Sequence, residues 1–575
     1  MSRKLLDNIR RRLKAETGTM THSWSDRRFR VALVYPNSYH HGMSNLGLLT
    51  VYHLLNSRPD CLCERFFLPE PEELLEHEAS GFPLISQENQ RPLQDFDLIA
   101  FSVSFENDYL HLPTIFRLAR IPLFSAERDA AYPPVLLGGV CAFLNPEPLA
   151  EIVDLVAVGE AEPILPALID ALQSGREDRG ELFARLAQLP GIYVPARYRV
   201  DYHEDGTCAA MTPLAEAPGK VVRQYLKDLD RSASRSFIQT PETEFGDMAL
   251  TEVSRGCSRG CRFCAAGYVY LPPRDRSLDN LLEQVDSGLC QRDKIGLVGA
   301  AVADYPEIEL LQQGILQRGG KVSVSSLRLD ALTETEVAGL RASGHRTVAI
   351  APEAGSQRLR DLINKGLDEE QILAAVRLLA DGDIIHLKLY FLIGLPTETA
   401  EDLDALVQLT EQIRLLWREA GRRRGALGTV TLSVNPFIPK PFTPLQWAAM
   451  DGEKVLKKKI RFLRSAVSRM PNTELHCESI RAARLQALLA RGDRRTARLL
   501  PLLEGGDNLK QTCRATGLDA DFYVGRERGR EELFPWEIVD QGVRRDYLWA
   551  EYQRGLAGAT TSRCLPGCRR CGVCH

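Results

Sequence analysis

Met248-Ala-Leu-Thr-Glu-Val-Ser-Arg-Gly-Cys257-Ser-Arg-Gly-Cys261-Arg-Phe-Cys264 is the stretch on which the reading of this chain turns. Its first six residues predict a short strand that runs directly into a loop with the spacing Cys-x3-Cys-x2-Cys. Three thiolates within eight residues can cap three irons of one cubane cluster. Gly256 and Gly260 let the loop fold tightly around it. Three donors leave a fourth iron open, able to chelate an amine and a carboxylate. Arg255, Arg259 and Arg262 are expected to place positive charge beside the thiolates. A zinc site or unconnected structural cysteines are the alternatives on spacing alone.

Downstream, apolar strand candidates recur at 248–253, 294–298, 321–325, 347–350, 384–393 and 429–434, with helical segments such as 278–289 and 401–417 between them. Six βα units predict a partial (β/α)6 TIM barrel over 248–470, with chemistry at the carboxyl ends of its strands. Upstream, continuous apolar strands near 30–35, 97–103, 135–139 and 155–160 alternate with helices. That pattern predicts a parallel sheet covered on both faces, a Rossmann-like domain over 30–204. The polar span 205–247 reads as a linker. After residue 470 the chain reads as mainly helical, ending in a Cys-rich tail. The fold class is therefore α/β.

The N-terminus, residues 1–29, is basic and lacks the apolar core of a secretory signal. Leu5, Ile9 and Leu13 predict an amphipathic helix docked on the next domain. Membrane or RNA contact through Arg10-Arg11-Arg12 is the alternative. A chain of 575 residues, 44% apolar and 26% charged, has the composition of a soluble globular protein. A net charge of −4 gives no general attraction to nucleic acid or anionic membrane. No apolar run approaches the ~18 residues that span a bilayer. Fourteen cysteines without an export signal, half of them in two tight clusters, point to metal ligation in a reducing cytoplasm. Cys61, Cys63, Cys141, Cys208, Cys290, Cys477 and Cys513 read as ordinary thiols.

The cysteine loop, with Phe263 just before the third cysteine, resembles the cluster loop of the radical S-adenosylmethionine (SAM) superfamily. The resemblance implies a [4Fe–4S] cluster on Cys257, Cys261 and Cys264 that donates one electron to SAM. A 5′-deoxyadenosyl radical would then abstract a hydrogen atom. It also implies SAM contacts at the later strand ends. Gly299 would sit by the methionine amino group. Glu353 would bond the ribose, and Lys365 or Arg328, in Ser325-Ser326-Leu327-Arg328, would pair with the carboxylate. Leu392 and Gly394 lie in a segment similar to the adenine-contacting strand, with its usual first glycine replaced. Pro439 lies in a proline-rich stretch of a kind common in the methylthiotransferase and cobalamin-linked branches.

The N-terminal region resembles the cobalamin-binding domain that precedes the barrel in one radical SAM branch. The matching pieces are Tyr35-Pro36-Asn37, Gly42 to Gly47, Gly138-Gly139 and Gly159-Glu160-Ala161-Glu162. The Asp-x-His-x-x-Gly motif is missing from these pieces, and His40-His41 reads as a surface pair. Cobalamin is therefore an open cofactor assignment. At the other end, Cys564-x3-Cys568-x2-Cys571-x2-Cys574 could ligate a second [4Fe–4S] cluster, a zinc ion or nothing. With residues 485–495 and Pro535-Trp536-Glu537, these cysteines resemble an uncharacterised radical SAM family carrying a cobalamin-like domain.

Three functions follow as expectations. The first is a radical SAM enzyme, cobalamin-dependent in methyl transfer, fed by a flavodoxin- or ferredoxin-type electron donor. The second is a two-cluster enzyme of methylthiotransferase type acting on RNA or protein. The third is a non-catalytic iron–sulfur carrier. Arg422-Arg423-Arg424 reads as a solvated helix end, and RNA contact has no further support.

Overall fold

The computed structural model describes every residue except 1, 27, 175–177, 325, 326, 328, 331, 343, 566 and 575, and the side chains of 335 and 342. The first half of the chain builds one six-stranded sheet from β1 (Phe29–Tyr35), β2 (Cys61–Phe67), β3 (Leu98–Ser102), β4 (Val135–Gly138), β5 (Leu155–Ala157) and β6 (Ile192–Tyr193), in the order β2-β1-β3-β4-β5-β6. All pairs are parallel except β5–β6. Every residue of β2 and β3 is buried. That is why β3 reads as an unbroken apolar run, whereas β2 (CLCERFF) carries buried Glu64 and Arg65, the latter paired with Glu88 and Glu16. Because β1 lies between β2 and β3, the chain reverses its winding there. In such sheets a crevice opens beyond the strand carboxyl ends.

The second half builds two parallel sheets. One has three strands, β7 (Ala249–Glu252), β8 (Lys294–Val298) and β9 (Lys321–Val324). The other has four, β10 (Thr347–Glu353), β11 (His386–Ile393), β12 (Val430–Pro436) and β13 (Thr473–Cys477). The expected six strands are thus joined by a seventh, β13, which pairs with β12 beyond residue 470. Its half-exposed TELHC sequence has no apolar run to betray it. β11 alternates strictly in burial, so Leu387, Leu389, Phe391 and Ile393 face the helices while Lys388, Tyr390 and Leu392 share the other face.

The span expected to be a linker is ordered. Cys208–Pro213 forms a hairpin with Tyr198–Tyr202, and Val221–Val222 pairs in parallel with Val539–Asp540 near the C-terminus. One apolar cluster joins Val34 and Phe101 of the first sheet, Tyr268 of the cysteine loop, and Trp447, Trp536 and Tyr552 further along. The halves therefore share a core. The N-terminal helix, Arg3–Ala15, docks as expected, with Leu5 and Ile9 buried. Of its arginine run, Arg12 is buried on Glu73 at 3.0 Å, while Arg10, on Asp7, and Arg11, on Glu242, stay exposed. No helix among the described residues is long and apolar enough to cross a membrane.

Candidate functional site

The cysteine loop leaves the carboxyl end of β7 and is closed by a short antiparallel pair, Ser254–Arg255 with Arg274–Asp275. Gly256 has φ +85°, and a Cβ there would lie 2.6 Å from the carbonyl oxygen of Tyr270, so only glycine fits that crossing. Inside the loop, the Cys264 N–H donates to the Cys261 carbonyl at 3.2 Å, and the Arg262 N–H to the Ile363 carbonyl at 2.9 Å. Burial pushes the Cys261 thiol up to about 12 and raises Cys257 and Cys264 as well. Metal ligation would release those protons.

The three loop arginines do not simply bathe the thiols in positive charge. Arg255 donates to Glu160 (2.9 Å), Glu162 (2.7 Å) and Glu252 (2.9 Å). Arg259 makes a bidentate pair with Asp304 at 2.8 and 3.0 Å and reaches Asp330. Arg262 is fully buried against Glu551. Arg259 still acts on Cys257, and Lys365 adds a cation felt by all three thiols. Burial works against its charge, but Glu353 and Cys261 outweigh that and hold its pKa above the ordinary lysine value. Its Nζ donates to Glu353 Oε1 at 3.1 Å. Glu353 has φ +65°, in the left-handed region. That backbone is costly for a residue with a Cβ. The fold thus brings Glu353 and Lys365 together beside the cysteines.

The remaining candidates are scattered. Gly299 lines the large cavity described below, and a Cβ on it would lie 3.0 Å from Ser254 Oγ. The Gly394 N–H is committed to Glu398 Oε2 at 2.8 Å. Leu392 is half-buried, packed against the core that includes Phe437 and Trp447. Pro439 is buried, next to Lys440, whose ammonium pairs with Glu106. Ser326 and Arg328 lie outside the described residues.

A cavity of about 670 Å³ opens where the carboxyl ends of β3–β5 meet β7 and β8. It runs along the first sheet under the helices Leu46–Asn56 and Ala161–Ser174, over Val31, Leu33, Ala100 and Leu136. Its charged wall is a buried network that sequence reasoning missed. Arg274 clasps Glu160 at 2.6 and 3.0 Å, and Arg276 reaches Glu252 at 2.9 Å. Burial opposes the Glu160 charge, but Arg274 and Arg255 outweigh it and lower its pKa. Only the Glu160-Ala-Glu162 spacing hinted at this, and nothing local named Arg255 as its partner.

The glycines that suggested a corrin are used by the chain itself. A Cβ at Gly139 would lie 2.3 Å from the Val103 carbonyl, and one at Gly159 would lie 2.0 Å from that of Gln224. Only Gly138 has room, its nearest atom 3.6 Å away. No histidine lines the cavity among the described residues; His40 reaches Glu244, and His41 bonds Ser38. Much of the cavity lining is nonetheless apolar, Leu55, Leu165 and Ile169 among it. Among the described residues no three His, Cys, Asp or Glu side chains stand at metal-holding spacing. The thiols would have to close around a cluster from a backbone already curled for it.

Residues 251–410 match the family model described as the radical SAM superfamily, and residues 47–195 match that for the N-terminal part of radical SAM proteins. An uncharacterized protein of Methanocaldococcus jannaschii is 30% identical over 499 residues, 86% of this chain and 96% of that relative. An uncharacterized methyltransferase of Pyrococcus horikoshii is 24% identical over 297 residues, 48% of this chain and 58% of its own length. Among solved structures, the cobalamin-dependent SAM radical enzyme OxsB, with aqua-cobalamin and SAM bound, is 17% identical with a TM-score of 0.45. That match covers 69% of this chain and 56% of the OxsB chain.

Proposed function

The chain belongs to the radical SAM superfamily, and from that premise we propose an enzyme that cleaves SAM at Cys257, Cys261 and Cys264 and works on its substrate beside the large cavity. The observation that carries this reading is the three-cysteine loop at the end of β7, next to the Glu353–Lys365 pair. When bound, the cluster and SAM supply one electron and a 5′-deoxyadenosyl radical that abstracts a hydrogen atom.

The residues bind, orient and exclude. Three thiolates leave one iron free for the SAM amino and carboxylate groups. Lys365 offers the carboxylate a cation, and Glu353 offers the ribose diol an acceptor. Gly299 gives the methionine end a backbone approach. Leu392, Gly394 and Pro439, and with them Ser326 and Arg328, are kept as further SAM contacts from their places in the sequence alone. The network of Glu160, Glu252, Arg255, Arg274 and Arg276 fixes the loop against the first sheet, which keeps the radical's surroundings rigid.

We further read the first sheet as a Rossmann-like cobalamin-binding domain and the three- and four-stranded sheets as one partial barrel, extended to residue 477 by β13. The cavity over the sheet, beyond the carboxyl ends of β3–β5, supports cobalamin as the second cofactor and methyl transfer as the reaction. The chain then works in the cytoplasm with a flavodoxin- or ferredoxin-type donor.

Anaerobic incubation of the reconstituted protein with dithionite and SAM tests the central reading. Formation of 5′-deoxyadenosine is expected; well-loaded protein that leaves SAM intact would leave only an electron carrier. Desalted protein reconstituted with hydroxocobalamin should keep a corrinoid absorbance. Its loss would remove the cobalamin assignment alone.

A further inference from the structure

Residues 559–564 lie against the cysteine loop. The Cys564 N–H donates to the Ser258 carbonyl at 2.7 Å. Asn364, almost fully buried, ties the two segments together. Its Nδ2 donates to the carbonyls of Gly260 (3.2 Å) and Thr561 (3.1 Å), and its Oδ1 accepts from the Thr561 N–H (2.8 Å). Arg262 of the loop donates to the Ala559 carbonyl at 2.8 Å and to Thr561 Oγ1 at 3.2 Å.

Beyond this seam the tail is curled on itself. Arg570 donates to the carbonyls of Ser562 (2.7 Å) and Arg563 (2.9 Å), closing a turn around Cys564 and Cys568. Its Nε donates to Cys568 Sγ at 3.3 Å. The Arg544 N–H donates to the Cys571 carbonyl at 2.8 Å, and a Cβ at Gly572 (φ +96°) would lie 2.8 Å from Arg544 Cγ. Cys571 is buried. Cys257 of the loop and Cys564, Cys568 and Cys571 of the tail line one small void. Gly256 and Ala266, flanking the loop cysteines, line the large cavity instead.

We propose that Cys564, Cys568, Cys571 and Cys574 together hold a second [4Fe–4S] cluster that serves as the electron entry to the loop cluster. Four thiolates saturate a cubane and leave no open iron, so this centre suits electron transfer and not substrate chelation. It sits on the opposite flank of the loop from the cavity, clear of the substrate's side. The Arg570 N–H on Cys568 favours the more negative, reduced form of a cluster. A zinc ion would suit the same thiolates but is redox-silent. The hydrogen bonds above already hold the tail without it.

One electron from a low-potential flavoprotein or iron–sulfur donor reduces the tail cluster by one unit. The same electron passes on to the loop cluster, the tail cluster returns to its oxidised state, and no bond changes. The transfer, but not the site, rests on the function proposed above.

Full-length protein reconstituted anaerobically with iron and sulfide should hold about eight irons, against about four for a single cubane. The variant with Cys257, Cys261 and Cys264 all replaced by Ala should keep about four irons and a reduced-cluster EPR signal. That readout involves no SAM chemistry, so it stands even if SAM cleavage fails. About four irons in the intact chain, zinc on the tail after purification, or an iron-free triple variant would each overturn the site. In C568A/C571A the ratio of flavodoxin-driven to dithionite-driven SAM cleavage should fall at least tenfold. An unchanged ratio would overturn the electron route.

Discussion

The two cysteine-bearing segments meet at one seam yet are held in different ways. The loop at 257–264 is fixed by its own strand pair and by three arginines that spend their charge on carboxylates from four other parts of the chain. The described residues of the tail at 561–574 form no paired strand and hang from side-chain and main-chain hydrogen bonds, with Asn364 as the shared peg. A segment locked by a buried charge network keeps its shape without metal. A segment held by a handful of hydrogen bonds is the one that loss of a single side chain should loosen.

The largest effect should come from the loop itself. Cys261→Ala should cut 5′-deoxyadenosine formation by on the order of 10³-fold or more, because one lost thiolate forfeits the open-iron cluster. Substantial residual cleavage in anaerobic product assays would break the assignment of the loop as the reaction centre.

Next comes the charge network. Arg255→Ala leaves Glu160, Glu162 and Glu252 facing one another with too few cations. Stranding buried charges costs about 3–5 kcal/mol. Denaturant unfolding of the metal-free protein measures it. A loss near zero would mean that the loop is no better braced than the tail.

Lys365→Met tests the cation beside the thiols. A charge-assisted bond is worth about 1.5–3 kcal/mol, so KM for SAM should rise at least about tenfold while cluster content holds. An unchanged KM would return Lys365 to a purely structural pairing with Glu353.

The smallest effect belongs to the seam. Asn364→Ala removes three hydrogen bonds, a net of about 1–3 kcal/mol in all. Hydrogen exchange should quicken at Thr561 and the tail amides while the Arg255–Cys257 backbone stays protected. Equal loosening of both segments would erase the contrast.

Much of this was legible beforehand. Cys-x3-Cys-x2-Cys after an apolar strand named the radical SAM superfamily, because cysteine spacing is a local property. The unbroken RVALVY and DLIAFS runs named a parallel sheet, because strands buried on both faces cannot alternate. β13 escaped notice because its half-exposed residues carry no apolar pattern. The ordering of 205–247 escaped because its partners lie far along the chain, as Val221–Val222 with Val539–Asp540 shows.

The sequence by itself determined the chemistry on offer: three thiolates on a glycine-bearing loop, four more at the end, and the strands that carry them. Only the tertiary structure decided how those groups are used. It engaged the loop arginines with carboxylates up to 289 positions distant. It set Lys365 beside the thiols and laid the tail on the loop. The reason is physical: ligand type and strand burial are written in neighbouring residues, whereas charge pairing and docking depend on distances in space that no local pattern encodes.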